Sequence, residues 1–138
     1  MNQSEKSLIE NISRAEAALA REQGSFLLFG LFQRETTAGK WDVVVSAPWL
    51  TTDRAGAQLI VDKLTECLTK ADWLKTASVV PLPPDAAFVQ SLTRRFQAEH
   101  ELLETGNFFT DDVSVDRAFI ITANKHALTH AERPLAAA

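Results

Sequence analysis

Between Glu99 and Asp116 the chain carries six carboxylates, Glu99, Glu101, Glu104, Asp111, Asp112 and Asp116, with no Lys or Arg among them and His100 at one end. Hard divalent cations prefer oxygen ligands. Two ions held close together by such groups would suit metal-assisted phosphoester hydrolysis. The fixed odd ligand spacing of a calcium-binding EF-hand loop is missing, however, and carboxylates spread over a connection repel one another and stay hydrated. The segment therefore reads first as a solvated acidic connection, and no metal is expected on it.

Other chemistry-bearing residues are weaker still. His126 and His130 have the i, i+4 spacing that places two imidazoles on one metal, but the hydrolase version needs a glutamate directly after the first histidine, and Ala127 stands there. Ser46 has no Gly-x-Ser-x-Gly context and no base beside it in sequence. Cys67, the one cysteine, falls on an apolar helical stripe and packs as a small hydrophobe; it excludes both an internal disulfide and a cysteine zinc cage. The glycines at 24, 30, 39, 56 and 106 are isolated, whereas phosphate-cradling loops cluster them. Thr51, Thr52 and Arg54 open a helix where an anion could meet free N–H groups, yet Asp53 opposes it. Arg94-Arg95 is too small a basic patch for unspecific DNA affinity.

Three tryptophans are the least bland feature. Trp41, Trp49 and Trp73 all fall at the ends of expected elements, where an aromatic either plugs the rim of a core or lines a binding surface. With Arg54 they form the candidate surface for a ligand or partner. No catalytic residue and no cofactor is assigned.

The elements that must position these residues follow from periodicity. Leu8, Ile12, Ala15 and Leu19 recur in steps of four, three and four, predicting an amphipathic helix over 4–21, with Lys6, Glu10, Arg14 and Glu16 off its stripe. Gly24 ends it. Residues 25–35 predict a strand apolar on both faces, with Phe26, Leu28 and Phe32 on one side and Leu27, Phe29 and Leu31 on the other, hence a central strand. A second strand runs from Trp41 to Ala47 and pairs antiparallel with the first; Pro48 stops it. A helix to about Thr69 buries Ala57, Ile60, Val61, Leu64, Cys67 and Leu68. A strand near 77–82, parallel to the second, comes next. Asp85 then opens a helix with Phe88, Leu92 and Phe96 on its stripe. Residues 101–105 fit either the end of that helix or a short strand, and 113–123 predicts one long strand.

The fold class is therefore α+β: a single-domain mixed four- or five-stranded sheet with helices packed on it, in the order α-β-β-α-β-α-(β)-β. The domain spans 1–124, and 125–138 reads as a C-terminal tail, a short helix or loose chain.

Length and charge bound the function. The 138 residues suit one domain, and 46% hydrophobic with 23% charged residues is globular composition. A net charge of -4 argues against a nucleic-acid coating role. Met1–Glu10 is polar, the longest apolar run is Phe26–Phe32, and neither a secretory signal nor a membrane span is expected; the setting expected is cytoplasmic. The leading expectation is a non-enzymatic protein-interaction or regulatory module. It would be a homodimer or bind a protein partner, because a doubly apolar strand needs two cover layers and a partner chain would complete the second. If the helices crowd one face, Leu27, Phe29, Leu31, Val44 and Ile120 would be left exposed. The alternatives are a metal-dependent phosphoester hydrolase using 99–116, or a small-ligand domain with a pocket near Trp41 and Trp49.

Overall fold

Asn2 opens the first helix by accepting from the Glu5 N–H, while the Glu5 carboxylate accepts from the Asn2 N–H. This reciprocal box satisfies two of the free donors at a helix start. Helix α1, Gln3–Gln23, ends at Gly24, whose φ of 130° suits a residue without a Cβ. The computed structural model describes residues 2–35, 38–110 and 113–125; the segment 126–138, and with it most of the expected tail, lies outside them.

Strands β1, Leu28–Gln33, and β2, Trp41–Ser46, are antiparallel, with Leu28 opposite Ser46 and Phe32 opposite Asp42. Helices α2, Arg54–Cys67, and α3, Lys70–Leu74, carry the chain to β3, Thr76–Pro81, which runs parallel to β2 as the crossover required. After α4, Ala87–Arg95, come β4, Leu103–Thr105, then a hairpin of β5, Phe108–Thr110, and β6, Val113–Val115, and finally β7, Arg117–Ala123. The sheet order is β3-β2-β1-β7-β4, mixed and five-stranded, with the hairpin as a separate two-stranded piece. The protein is an α+β fold. Residues 103–105 are strand, resolving the choice left open by the sequence.

Each face of the sheet has its own core. On the first, α1 and α2 pack Leu8, Ile12, Leu19, Ile60 and Leu64 against Phe26, Phe29, Leu31, Val43, Val45, Phe119 and Ile121. On the second, Val89 and Leu92 of α4 and Phe108 and Val115 of the hairpin cover Leu27, Leu28, Phe32, Val44 and Ile120.

The structure differs from the periodicity in four places. The alternation expected over 25–35 breaks just before β1 begins: Leu27 and Leu28 both join the second core, and Phe26, Phe29 and Leu31 the first. Within β1 the alternation holds, Phe29 and Leu31 on the first core and Leu28 and Phe32 on the second, although the register against β7 shifts between Phe29 and Gly30. The expected strand 113–123 is two strands, because the chain turns at Asp116 between hairpin and sheet. Glu16, expected off the α1 stripe, is fully buried. Finally, Leu27, Phe29, Leu31, Val44 and Ile120 are all buried within one chain, because α1 and α2 cover Phe29 and Leu31 on one face while α4 and the hairpin cover Leu27, Val44 and Ile120 on the other. The exposed patch from which self-association was argued is not formed by these residues.

Candidate functional site

The strand Trp41–Ser46 is apolar apart from Asp42 and Ser46, and all six residues are buried. A carboxylate at such a position needs partners. Asp42 finds them in two neighbours. Arg34, just past β1, donates from Nε at 3.1 Å and Nη2 at 2.8 Å to Asp42 Oδ2, and the Ser78 hydroxyl on β3 donates to Oδ1 at 2.6 Å. The pair stands at one end of an apolar cleft on the second sheet face.

Six apolar side chains wall this cleft. Phe32, Val44 and Val80 come from β1, β2 and β3, Phe88 from α4, and Val113 and Val115 from β6; together with Arg34 and Asp42 they enclose a cavity of about 140 Å³. The elements set this arrangement. Gly30 and Val44 are paired, Phe32 lies opposite Asp42, and alternation on β6 turns Val113 and Val115 toward the sheet while Ser114 is exposed. Phe32 and Phe88 meet edge to face at 5.4 Å between ring centres, which fixes one wall.

A second polar cluster ties α1 to the far end of β7. The two oxygens of the buried Glu16 carboxylate take the Thr122 hydroxyl at 2.8 Å and lie 2.7 Å from His100 Nδ1. The His100 N–H donates to Thr122 Oγ1, and His100 holds a φ of 55°. Nearby, the Asn124 amide donates to Glu99. These contacts fasten the segment after α4 to the sheet through Thr122 and Asn124, and through Glu16 they join both to α1, 84 residues before His100.

The residues singled out by sequence do not converge. Trp41 is 2% exposed inside the first core, with Arg117 over its ring at 5.5 Å. Trp49 is half-buried, stacks edge to face on Phe26 and donates from Nε1 to the Ser25 carbonyl; Trp73 is half-buried against the same core. All three pack on the first core, away from the cleft. Arg54 is exposed at the start of α2, where Asp53 already accepts from the Gly56 N–H. The Thr51 hydroxyl, and then that N–H, hold the Asp53 carboxyl below its usual range, so the helix end is met by its own carboxylate.

Cys67 is half-buried on the first core, and the buried Ser46 hydroxyl has no hydrogen-bond partner among the described residues. The acidic segment is divided among elements: Glu99 takes Asn124, Glu104 lies 3.5 Å from Arg117, and the Asp116 N–H donates to the Gln33 carbonyl. Among the described residues no group of three His, Cys, Asp or Glu side chains could hold a metal ion; Asp111, Asp112, His126 and His130 lie outside them. No described helix is long and apolar enough to cross a membrane.

Sequence reasoning missed the cleft. Its one signal was Asp42, a charge inside an otherwise apolar strand next to a phenylalanine-rich one.

No family model, curated protein or solved structure matches the chain.

Proposed function

We propose that the chain is a non-enzymatic protein-interaction module that receives an apolar side chain of a protein partner in the cleft between β1–β3, α4 and the hairpin. The observation carrying this reading is the cavity of about 140 Å³, walled by six apolar side chains. Its size is that of a benzene-holding cavity, about 150 Å³. The polar pair at its end supports binding over catalysis. Arg34 and Ser78 already occupy both oxygens of Asp42, which leaves a neutral, hydrogen-bonded rim suited to orienting a guest.

The test is a titration with benzene, followed through the methyl resonances of Val44, Val80 and Val113. Saturable shifts confined to these residues are expected, and Val113→Phe, which fills the cleft from β6, abolishes them. Shifts scattered over the protein, or unchanged in Val113→Phe, would remove the cleft as a binding site.

A further inference from the structure

Strand β3 is an edge of the sheet: among the described residues it pairs with β2 alone. Its six residues, Thr76-Ala77-Ser78-Val79-Val80-Pro81, carry no charge. Edges of this kind are normally blunted by lysine, proline or a bulge, because their unpaired N–H and C=O groups template another strand. Here the guards are Pro81 at one end and a register shift near the other, between Trp41 and Asp42.

Parity decides which groups are open. The Leu82 N–H donates to the Val45 carbonyl at 2.8 Å, so Leu82, Val80 and Ser78 turn their backbone groups toward β2. Val79 and Pro81 therefore turn theirs outward, and the missing N–H of Pro81 falls on the open side, where a strand proline is tolerated. The side chains of Ser78 and Val80 lie on the cleft face, and Val80 is itself a wall of the cavity. The open edge and the cleft are thus continuous.

We propose that the partner's docking segment is an extended peptide that adds to the open edge of β3 and lays one phenyl-sized apolar side chain across Val80 into the cleft. This rests on the reading of the cleft as a binding site. Strands lie about 4.8 Å apart, so a side chain of the added strand on the cleft face stands directly beside Val80. Backbone hydrogen bonds give such complexes affinity, and pockets for alternate side chains give specificity. A second copy of this chain fits less well. Its own β3 would bring a second Pro81 to the ladder and offer the cleft face only Ser78 and Val80, too small to fill the cavity.

Blocked octapeptides of alternating threonine and valine, with phenylalanine, leucine or tryptophan at one central position, serve as probes for fluorescence anisotropy. Saturable binding is expected, lost in Val113→Phe and in the peptide with alanine at the centre. The deciding comparison is N-methylation of alternate peptide amides. The set whose N–H groups face β3 weakens binding about tenfold or more, and the complementary set leaves it unchanged. Equal effects of the two sets, or no binding by any probe up to about 1 mM, overturn the proposal. If benzene still enters the cleft in that case, the cleft reading stands and the edge reading alone fails. Sedimentation equilibrium of the protein alone covers the remaining outcome, since a dimer that excludes the peptides would assign the edge to a second copy.

Discussion

Asp72 is a carboxylate with 1% of its surface exposed, held at the start of α3 by the Thr69 N–H at 3.0 Å and the Asn11 amide at 2.7 Å, both on Oδ2. Burial pushes its carboxyl up, but the Thr69 and Asn11 hydrogen bonds, helped by the charge of Lys75, outweigh burial and hold it below the usual range. A carboxyl lowered in the folded state binds protons more readily in the unfolded chain. Its contribution is complete above the unfolded value and is lost as pH falls through the folded one. Urea midpoints of the wild type and Asp72→Asn are therefore expected to differ most near neutral pH and to converge as the pH falls below the ordinary aspartate range. A constant gap would mean that the carboxylate's charge is not what α3 uses. At this scale the sequence was a partial guide. Asp72 in a Thr69-x-x-Asp72 pattern is legible as a cap, but Glu16 and Asp42 are not. Their burial depends on Thr122, His100, Arg34 and Ser78, partners that only the tertiary fold supplies.

Among the elements, α2 depends on one position in its first turn. A Cβ built on Gly56 would stand 1.8 Å from the Thr51 carbonyl oxygen, with the Thr51 carbonyl carbon at 2.7 Å, so the backbone itself blocks any side chain. Gly56→Ala must push the Thr51 segment away and break the Asp53 cap as it does so. A loss of about 2–4 kcal/mol is expected by denaturant melting, against a cap worth about 1 kcal/mol on its own. Gly106→Ala, where nothing lies within 4 Å of the added atom, is the control and should change little. Helices and strand pairing were readable because each is a local pattern: Leu8, Ile12, Ala15 and Leu19 do form the inner face of α1, and β2 and β3 are parallel. The hairpin was not, since Val113-Ser114-Val115 continues the alternation of Arg117–Ala123 without a break in composition. The turn at Asp116 is imposed by the second face of the sheet, which needs Phe108 and Val115 as cover.

Across the whole molecule, the sheet separates two cores that a reading of apolar residues alone would merge. Phe88 and Leu92 belong with Leu28, whereas Ile60 and Leu64 belong with Phe29 on the opposite face. Leu28 and Leu64 are each wholly buried, and truncating either to alanine should cost about 2–5 kcal/mol. Because they lie in different layers, the double variant is expected to lose the sum of the two within about 0.5 kcal/mol. A large departure from additivity would mean that the layers respond as one.

The central place of β1 also bears on how the chain is made. Its neighbours are β2, a few residues downstream, and β7, the last strand among the described residues, and the ion pair of Glu5 with Arg117 joins α1 to β7. A nascent chain leaving the ribosome can form the β1–β2 hairpin early. Half of the doubly apolar strand's hydrogen-bonding edge, however, stays open until residue 123 has emerged. Neither cover layer can seat fully before then, because Phe119 and Ile121 complete one core and Ala118 and Ile120 the other. Closure is thus delayed until β7 has been made. In that interval Phe26–Phe32 is the stretch most in need of protection from its neighbours on the polysome.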